Sequence, residues 1–347
     1  MQFIKSDVNI DFIGKRKIAF YLSLAMILIS LVSLAVHRGP RFGIDFAGGT
    51  LIQIKFLAPA AIDHIKAGLA DVDLAKSSVQ QFGDPQANEY LIRTDHSVGT
   101  SRGFDQTVAR ALKASTGSDV EIRRIEMVGP QVGQDLREKA LFAMFFALLF
   151  ITIYISGRFE LKWMLSGVMA AALIGAVYLL SLFSVSIPFL MAAALIVTLV
   201  LFWFLELKYA MGAIVALIHD VIITVGLFSI FDKEFTLPII AALLTIIGYS
   251  LNDTIIVFDR IRENLRKFHK YAPAAIINRS VNETLGRTIL TSLTTLIVVL
   301  TLFILGGSII HDFAFAMIIG VLVGTYSSVY VASPILLAWQ ARGRKAV

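Results

Sequence analysis

Three sets of polar side chains stand where the surrounding sequence is almost wholly apolar. His219-Asp220 lie in the middle of the run Ala210–Phe231, and Asn252-Asp253 in the inner half of Phe235–Phe258. Arg287 opens the run Thr288–Leu305, with Glu283 one helical turn before it. Charged groups inside apolar spans are costly, so those that persist face the protein interior and carry function. A carboxylate there suits proton carriage, because desolvation and a neighbouring cation act on it in opposite senses and can be balanced. Arginine keeps its charge and serves as a fixed counter-ion. Asp253 and Arg287 belong to consecutive runs and stand at similar depth, so they are expected to meet. Two roles are open for such a pair: a proton carrier whose pairing changes, or a static ion pair that locks two helices together. His219 is the weaker candidate, since a single histidine in a span also serves simply to hydrogen-bond a neighbour. Asp259, Arg260, Arg262 and Glu263 follow at helical spacings, the pattern of a solvated helix end held by local pairs.

The elements that must position these residues are membrane spans. Of the 347 residues, 57% are hydrophobic and only 16% charged, against about a quarter charged in ordinary soluble domains. That balance excludes a disordered, fibrous or ordinary cytosolic chain. The absence of cysteine excludes a disulfide scaffold, cysteine-ligated metal and thiol catalysis. A spanning helix needs about 20 apolar residues. Eight runs approach that: Ile18–Val36, Ala140–Ile155, Met164–Phe183, Ile187–Leu205, Ala210–Phe231, Phe235–Phe258, Thr288–Leu305 and Phe313–Trp339. Ser33-Leu34-Ala35 resembles a signal-peptide cleavage site, but the first run exceeds the usual signal core of about 7–15 residues and reads as an uncleaved anchor.

Basic residues of short loops set orientation. Lys15-Arg16-Lys17 hold the N-terminus in the cytoplasm. Alternation then places Arg158/Lys162, Lys208, the loop Arg260–Arg287 and the tail Arg342/Arg344/Lys345 on the same side. The opposite turns, Ser184–Ser186, Asp232–Glu234 and Gly306–Asp312, are almost free of basic residues. The net charge of +6 is thereby assigned to cytoplasmic loops and not to nucleic acid.

One module interrupts the spans, at residues 38–138, and falls outside. Its pattern predicts strand Thr50–Phe56, helix Ala60–Leu69, strands Ser77–Phe82 and Glu89–Arg93, helix Arg102–Ala114 and strand Asp119–Val128. The order βαββαβ predicts a ferredoxin-like α+β sandwich. It holds no metal-ligand spacing, nucleophile–base pair or phosphate loop, and His64 and His96 are lone. The remaining boundaries are residues 1–37 for the N-terminus and first span and 139–161 for the second. An extra hairpin takes 162–207, and 208–347 form the core spans with a basic loop at 259–287.

Glu160-Leu161-Lys162-Trp163 is echoed by Glu206-Leu207-Lys208-Tyr209, so spans three and four read as a duplicate of five and six, against chance similarity of apolar segments. Gly320 and Gly324 give the last span a small-xxx-small face for close helix approach. Pro334 is expected to kink its final turns.

The segment Gly248–Asn264, GYSLNDTIIVFDRIREN, resembles the signature of the SecF family of the SecD/SecF protein-export complex. Asp259 and Arg260 fall within it. Gly43–Thr50, GIDFAGGT, is similar to the motif that opens that family's exoplasmic domain, through Gly43, Ile44, Asp45, Phe46, Gly48, Gly49 and Thr50. Ala213–Thr224 and Ser280–Leu296 match as well. The resemblance implies a six-span core like that of proton-driven RND transporters, in a bacterial inner membrane. It implies a partner of SecD beside the SecYEG channel, with YajC as accessory and an unfolded preprotein and membrane lipid as contacts. The proton-motive force would drive translocation. The family's proton-path aspartate and arginine fall on Asp253 and Arg287, with Asn252, Asp220 and His219 alongside. Neither an enzymatic reaction nor a cofactor is implied.

The departure is in helix number. The family has six spans and this chain reads as eight, the added pair lacking any titratable counterpart of His219-Asp220 or Asn252-Asp253. The rival expectation is a component of an RND-type solute or lipid exporter.

Overall fold

The computed structural model describes residues 9–83, 85–94, 103–181 and 187–343. His96, the expected turn Ser184–Ser186, and Arg344 and Lys345 lie outside them. The chain enters through helix α1, Arg16–Val36, and then forms the module: α2 (Ile44–Ala47), β1 (Gly49–Phe56), α3 (Ile62–Ala70), β2 (Ser78–Gln81), β3 (Glu89–Thr94), α4 (Phe104–Thr116) and β4 (Val120–Val128). The long helices follow as α5 (Pro130–Glu160), α6 (Trp163–Ser181), α7 (Ile187–Phe204), α8 (Lys208–Ile230), α9 (Leu237–Lys267), α10 (Pro273–Leu305), α11 (Gly307–Ser327) and α12 (Ser333–Gly343).

The module has the expected βαββαβ order, with boundaries within two residues of the sequence pattern. Its antiparallel sheet runs β2-β3-β1-β4. Alternation decides the buried face: Ile52, Ile54 and Phe56 of β1 turn inward with Tyr90 and Ile92 of β3. Ile65 and Leu69 of α3 and Val108 and Leu112 of α4 complete that core.

Among the described residues six helices are long and apolar enough to cross a membrane: Arg16–Val36, Pro130–Glu160, Lys208–Ile230, Leu237–Lys267, Pro273–Leu305 and Ile309–Gln340. The chain is a multi-pass membrane protein. The apolar stretches of α6 and α7 are shorter, Trp163–Leu179 and Phe189–Phe204. α8, α9 and the last helical rod are the most buried, whereas α1 and α10 expose most of their apolar surface. A π-helical turn, Ser328–Ala332, joins α11 to α12 directly before Pro334. Pro334 has no N–H to return to the preceding turn.

The α6–α7 hairpin leaves and rejoins the bundle at one place. A Glu160 carboxylate oxygen accepts the Tyr209 N–H at 2.9 Å, capping the start of α8. The Lys162 Nζ donates to the Leu205 carbonyl at 2.7 Å, and the Phe159 and Tyr209 rings stack at 5.1 Å. Ser166 donates to Ser156 at 2.6 Å to hold α6 on α5. The two ends of the insertion are thus already neighbours. Lipid is as apolar as the surfaces the hairpin covers, so the hydrophobic effect gives little drive to keep it. Deleting residues 162–207 is expected to leave membrane insertion and accumulation near the parent level, read by immunoblot of membrane fractions. Degradation of the deleted chain would show that the hairpin holds α5 in place.

Candidate functional site

A group of buried polar side chains converges on the middle of α8. His219 and Asp220 are 3% and 1% exposed. One Asp220 oxygen lies 2.9 Å from the His219 Nδ1. The other accepts the Ser250 hydroxyl of α9 at 2.6 Å and the Ser327 hydroxyl of α11 at 2.8 Å. The His219 Nε2 lies 3.1 Å from the Ser23 hydroxyl of α1, which in turn lies 3.1 Å from the Tyr326 hydroxyl. Tyr326 donates onward to the Ala19 carbonyl at 2.8 Å, and its ring lies over His219. Four helices are tied together by one chain of donors and acceptors. A buried carboxylate is tolerable only when its lone pairs are occupied in this way.

Close backbone approach makes the convergence possible. A Cβ built on Gly324 would stand 2.9 Å from the Ser250 Cβ, and one on Gly320 would overlap the Ile246 side chain. Gly320 and Gly324 therefore let α11 lie directly on α9, the contact their spacing predicts. Without it Ser250 and Ser327 could not reach the same carboxylate.

Asp253 lies one turn beyond Ser250 on α9 and is 1% exposed, yet its Oδ2 has no hydrogen-bond partner among the described residues. Arg287 of α10 is the opposite charge that acts on it, and Ser292 places a hydroxyl beside it. Ser292 also reaches Thr325 of α11 at 2.6 Å. The expected Asp253–Arg287 ion pair is not formed. Arg287 is exposed and makes no salt bridge among the described residues. The reason is rotational: the buried stripe of α10 at this depth is Ser280, Thr284 and Thr288, and adjacent residues on a helix stand about 100° apart. Asn252 is displaced from Asp253 by the same angle and is also exposed, so it does not join the site.

At the far end of α9, Asp259 pairs with Arg158 of α5 at 2.6 Å as well as locally with Arg262. Arg260 pairs with Glu263, and Glu283 with Arg279 and Asn264. These are the local pairs that helical spacing predicts, with longer-range ties added. Ser23, Ser250, Tyr326 and Ser327 were not legible as site residues, because hydroxyls are common in helices. The one signal was spacing: Ile246, Ser250, Asp253 and Val257 fall on one face of α9. Among the described residues no group of three His, Asp or Glu side chains gathers as a metal site would need.

These features define a polytopic membrane protein with two differently supported carboxylates buried among its spanning helices. The family description "Protein export membrane protein SecD/SecF, C-terminal" matches residues 107–189 and 170–342, and "SecD/SecF GG Motif" matches 34–56. The first two matches overlap within the extra hairpin. The protein translocase subunit SecF of Magnetococcus marinus is 44% identical over 100% of this chain and 97% of its own. That of Vibrio alginolyticus is 41% identical over 97% and 91%. A Thermus SecDF structure aligns with a TM-score of 0.69 and 30% identity over 98% of this chain. This chain spans 40% of that solved chain. It belongs to the SecF family of protein translocase subunits.

The two acids should differ in what their removal costs. Asp220→Ala strips the acceptor from Ser250, Ser327 and His219, and breaking one side of a buried pair costs about 3–5 kcal/mol. Asp253→Asn removes a carboxylate with an unoccupied oxygen and should cost less than about 1 kcal/mol. Thermal unfolding in detergent should therefore rank Asp220→Ala far below Asp253→Asn. Equal losses would contradict the assignment.

Proposed function

We propose that this chain acts as the SecF subunit of the protein-export machinery, using the proton-motive force together with SecD to assist translocation of secreted proteins. The observation that carries the mechanism is the buried, unpartnered Asp253 oxygen beside an unpaired arginine. Asp220 has hydrogen-bond partners on both oxygens, from α8, α9 and α11, and serves as a structural tie. Asp253 has a free oxygen, and Arg287 is close enough to bias its charge without neutralising it in a fixed contact. Asp253 is the proton carrier, Arg287 its mobile counter-charge, and the His219–Asp220 chain the scaffold that fixes α8, α9 and α11 around it. Buried polar atoms without partners and displaced charges cluster at functional sites. The carrier step is the gain and loss of one proton on the Asp253 carboxylate, and the work is done by proton passage and helix displacement.

The partner assignment has support in the bundle surface. Thr245, Gly248 and Asn252 of α9 and Arg287 of α10 are exposed at or near span depth, and an amide and a guanidinium are poor lipid-facing groups. SecD is the subunit proposed to cover them. SecYEG, YajC and the emerging preprotein are the further contacts. In this reading α6 and α7 also cross the bilayer, giving eight spans, with both termini cytoplasmic in a bacterial inner membrane. The module 38–138 is then an exoplasmic ferredoxin-like domain, with the basic loop 259–287 inside.

Asp253→Asn is expected to accumulate and bind SecD normally but to lose the gradient-dependent part of preprotein export in membrane vesicles, and Arg287→Ala to lose the same part. Retention of that part by Asp253→Asn would contradict proton carriage.

The orientation has its own check. The chain lacks cysteine, so each introduced thiol is unique. Ser77 is buried whereas Ser78 beside it is exposed. Ser78→Cys should react with an impermeant thiol reagent in spheroplasts, and Ala272→Cys only after lysis. The reverse pattern would invert the topology.

A further inference from the structure

The GIDFAGGT segment is where the module meets the helices that carry both buried acids. Its short helix α2 lies between the start of α5 and the start of α9. The Asp45 carboxylate accepts the Leu237 N–H at 2.8 Å, occupying one of the open donors at the N-terminus of α9. Backbone bonds reinforce the contact: Gly43 N–H to the Phe235 carbonyl at 2.8 Å, and Phe235 N–H to the Arg41 carbonyl at 2.7 Å. Arg93, from the middle sheet strand β3, donates to the Phe42 carbonyl at 2.9 Å and pairs with Glu234 in the α8–α9 turn. Arg41 pairs with Asp232 of the same turn at 2.7 Å. Gly48, at φ +76°, turns the chain into β1, and a Cβ there would lie 2.9 Å from the Pro130 Cα at the start of α5. Module and bundle are therefore fastened at the helix turn that joins α8, bearing Asp220, to α9, bearing Asp253.

We propose that this segment is the joint that passes displacement of α9 to the module, with Asp45 as the positioning residue that holds α9 to it. The proposal rests on the gradient-driven reading above. Transmitting a displacement requires a rigid joint, and the contacts here supply one. A carboxylate on a helix N-terminus is favoured by both hydrogen bonding and the helix dipole, and the arginine–carboxylate pairs resist rotation about it. An axial shift or tilt of α9 when Asp253 changes charge would then move β1 and β3 with it.

The test places an environment-sensitive fluorophore on Ser78→Cys, exposed on strand β2, in the complex with a cysteine-free SecD in proteoliposomes. Imposing a proton gradient should change its emission reversibly. Asp45→Ala should lose most of that response, with accumulation and SecD binding retained. Asp45→Asn keeps an acceptor and should keep most of the response. Leu237→Pro removes the donor from the other side, at a helix position that tolerates proline, and should reproduce Asp45→Ala even if that variant accumulates poorly. A full response in both Asp45→Ala and Leu237→Pro would overturn the joint while leaving the gradient-driven reading intact. No response in the parent chain would overturn that reading and the joint with it.

Discussion

A carboxylate deep among spanning helices must be supplied with donors, and Asp220 obtains them from three directions. This requirement organises the bundle. Ser250 and Ser327 reach it from α9 and α11, and His219 relays it to Ser23 and Tyr326. Satisfying one charge thereby fixes the mutual rotation of α1, α8, α9 and α11. Hydrophobic packing could not do this as well, since lipid competes with apolar side chains for the same surfaces. The glycines of α11 serve the same end by admitting α9 at close range. Within that frame Asp253 stands out as the acid that the scaffold positions but does not fully satisfy.

On the proposed reading, the contrast between the two acids separates a stable part from a movable one. Asp220 is held from α9 and α11, so its neighbourhood resists change. Asp253, one turn further along α9, has an oxygen with no hydrogen-bond partner among the described residues and feels the charge of Arg287. A change in its protonation alters local electrostatics without first dismantling the hydrogen-bond chain. The resulting displacement has a short route to the module, because α9 begins at the turn that Asp45, Arg41 and Arg93 grip.

Much of this was legible in the sequence because apolar length, loop charge and strand alternation act locally. The apolar runs of the six long helices, the module order and the identity of the buried acids follow from them. Rotation about each helix axis does not. Depth alone brought Asp253 and Arg287 together, but Arg287 stands beside the Ser280–Thr284–Thr288 stripe and not on it. Asn252 is turned outward by its adjacency to Asp253, which the Ile246–Ser250–Asp253–Val257 spacing encodes. Ser327 and Asp220, 107 positions apart, could be paired only once the helices were packed. The hairpin shows the opposite case. Its echo of Glu206–Tyr209 was visible in sequence, and the structure adds why it is tolerated, since Glu160 already touches Tyr209 across its base.

The central claim is that Asp253 changes protonation as the gradient is applied. Infrared difference spectroscopy of the reconstituted complex, recorded as the proton gradient is imposed and collapsed, reads protonated carboxyl groups directly. The account predicts a carboxyl band that appears and disappears with the gradient, shifts in heavy water, and is missing in Asp253→Asn. A gradient-dependent carboxyl band that persists unchanged in Asp253→Asn would contradict it.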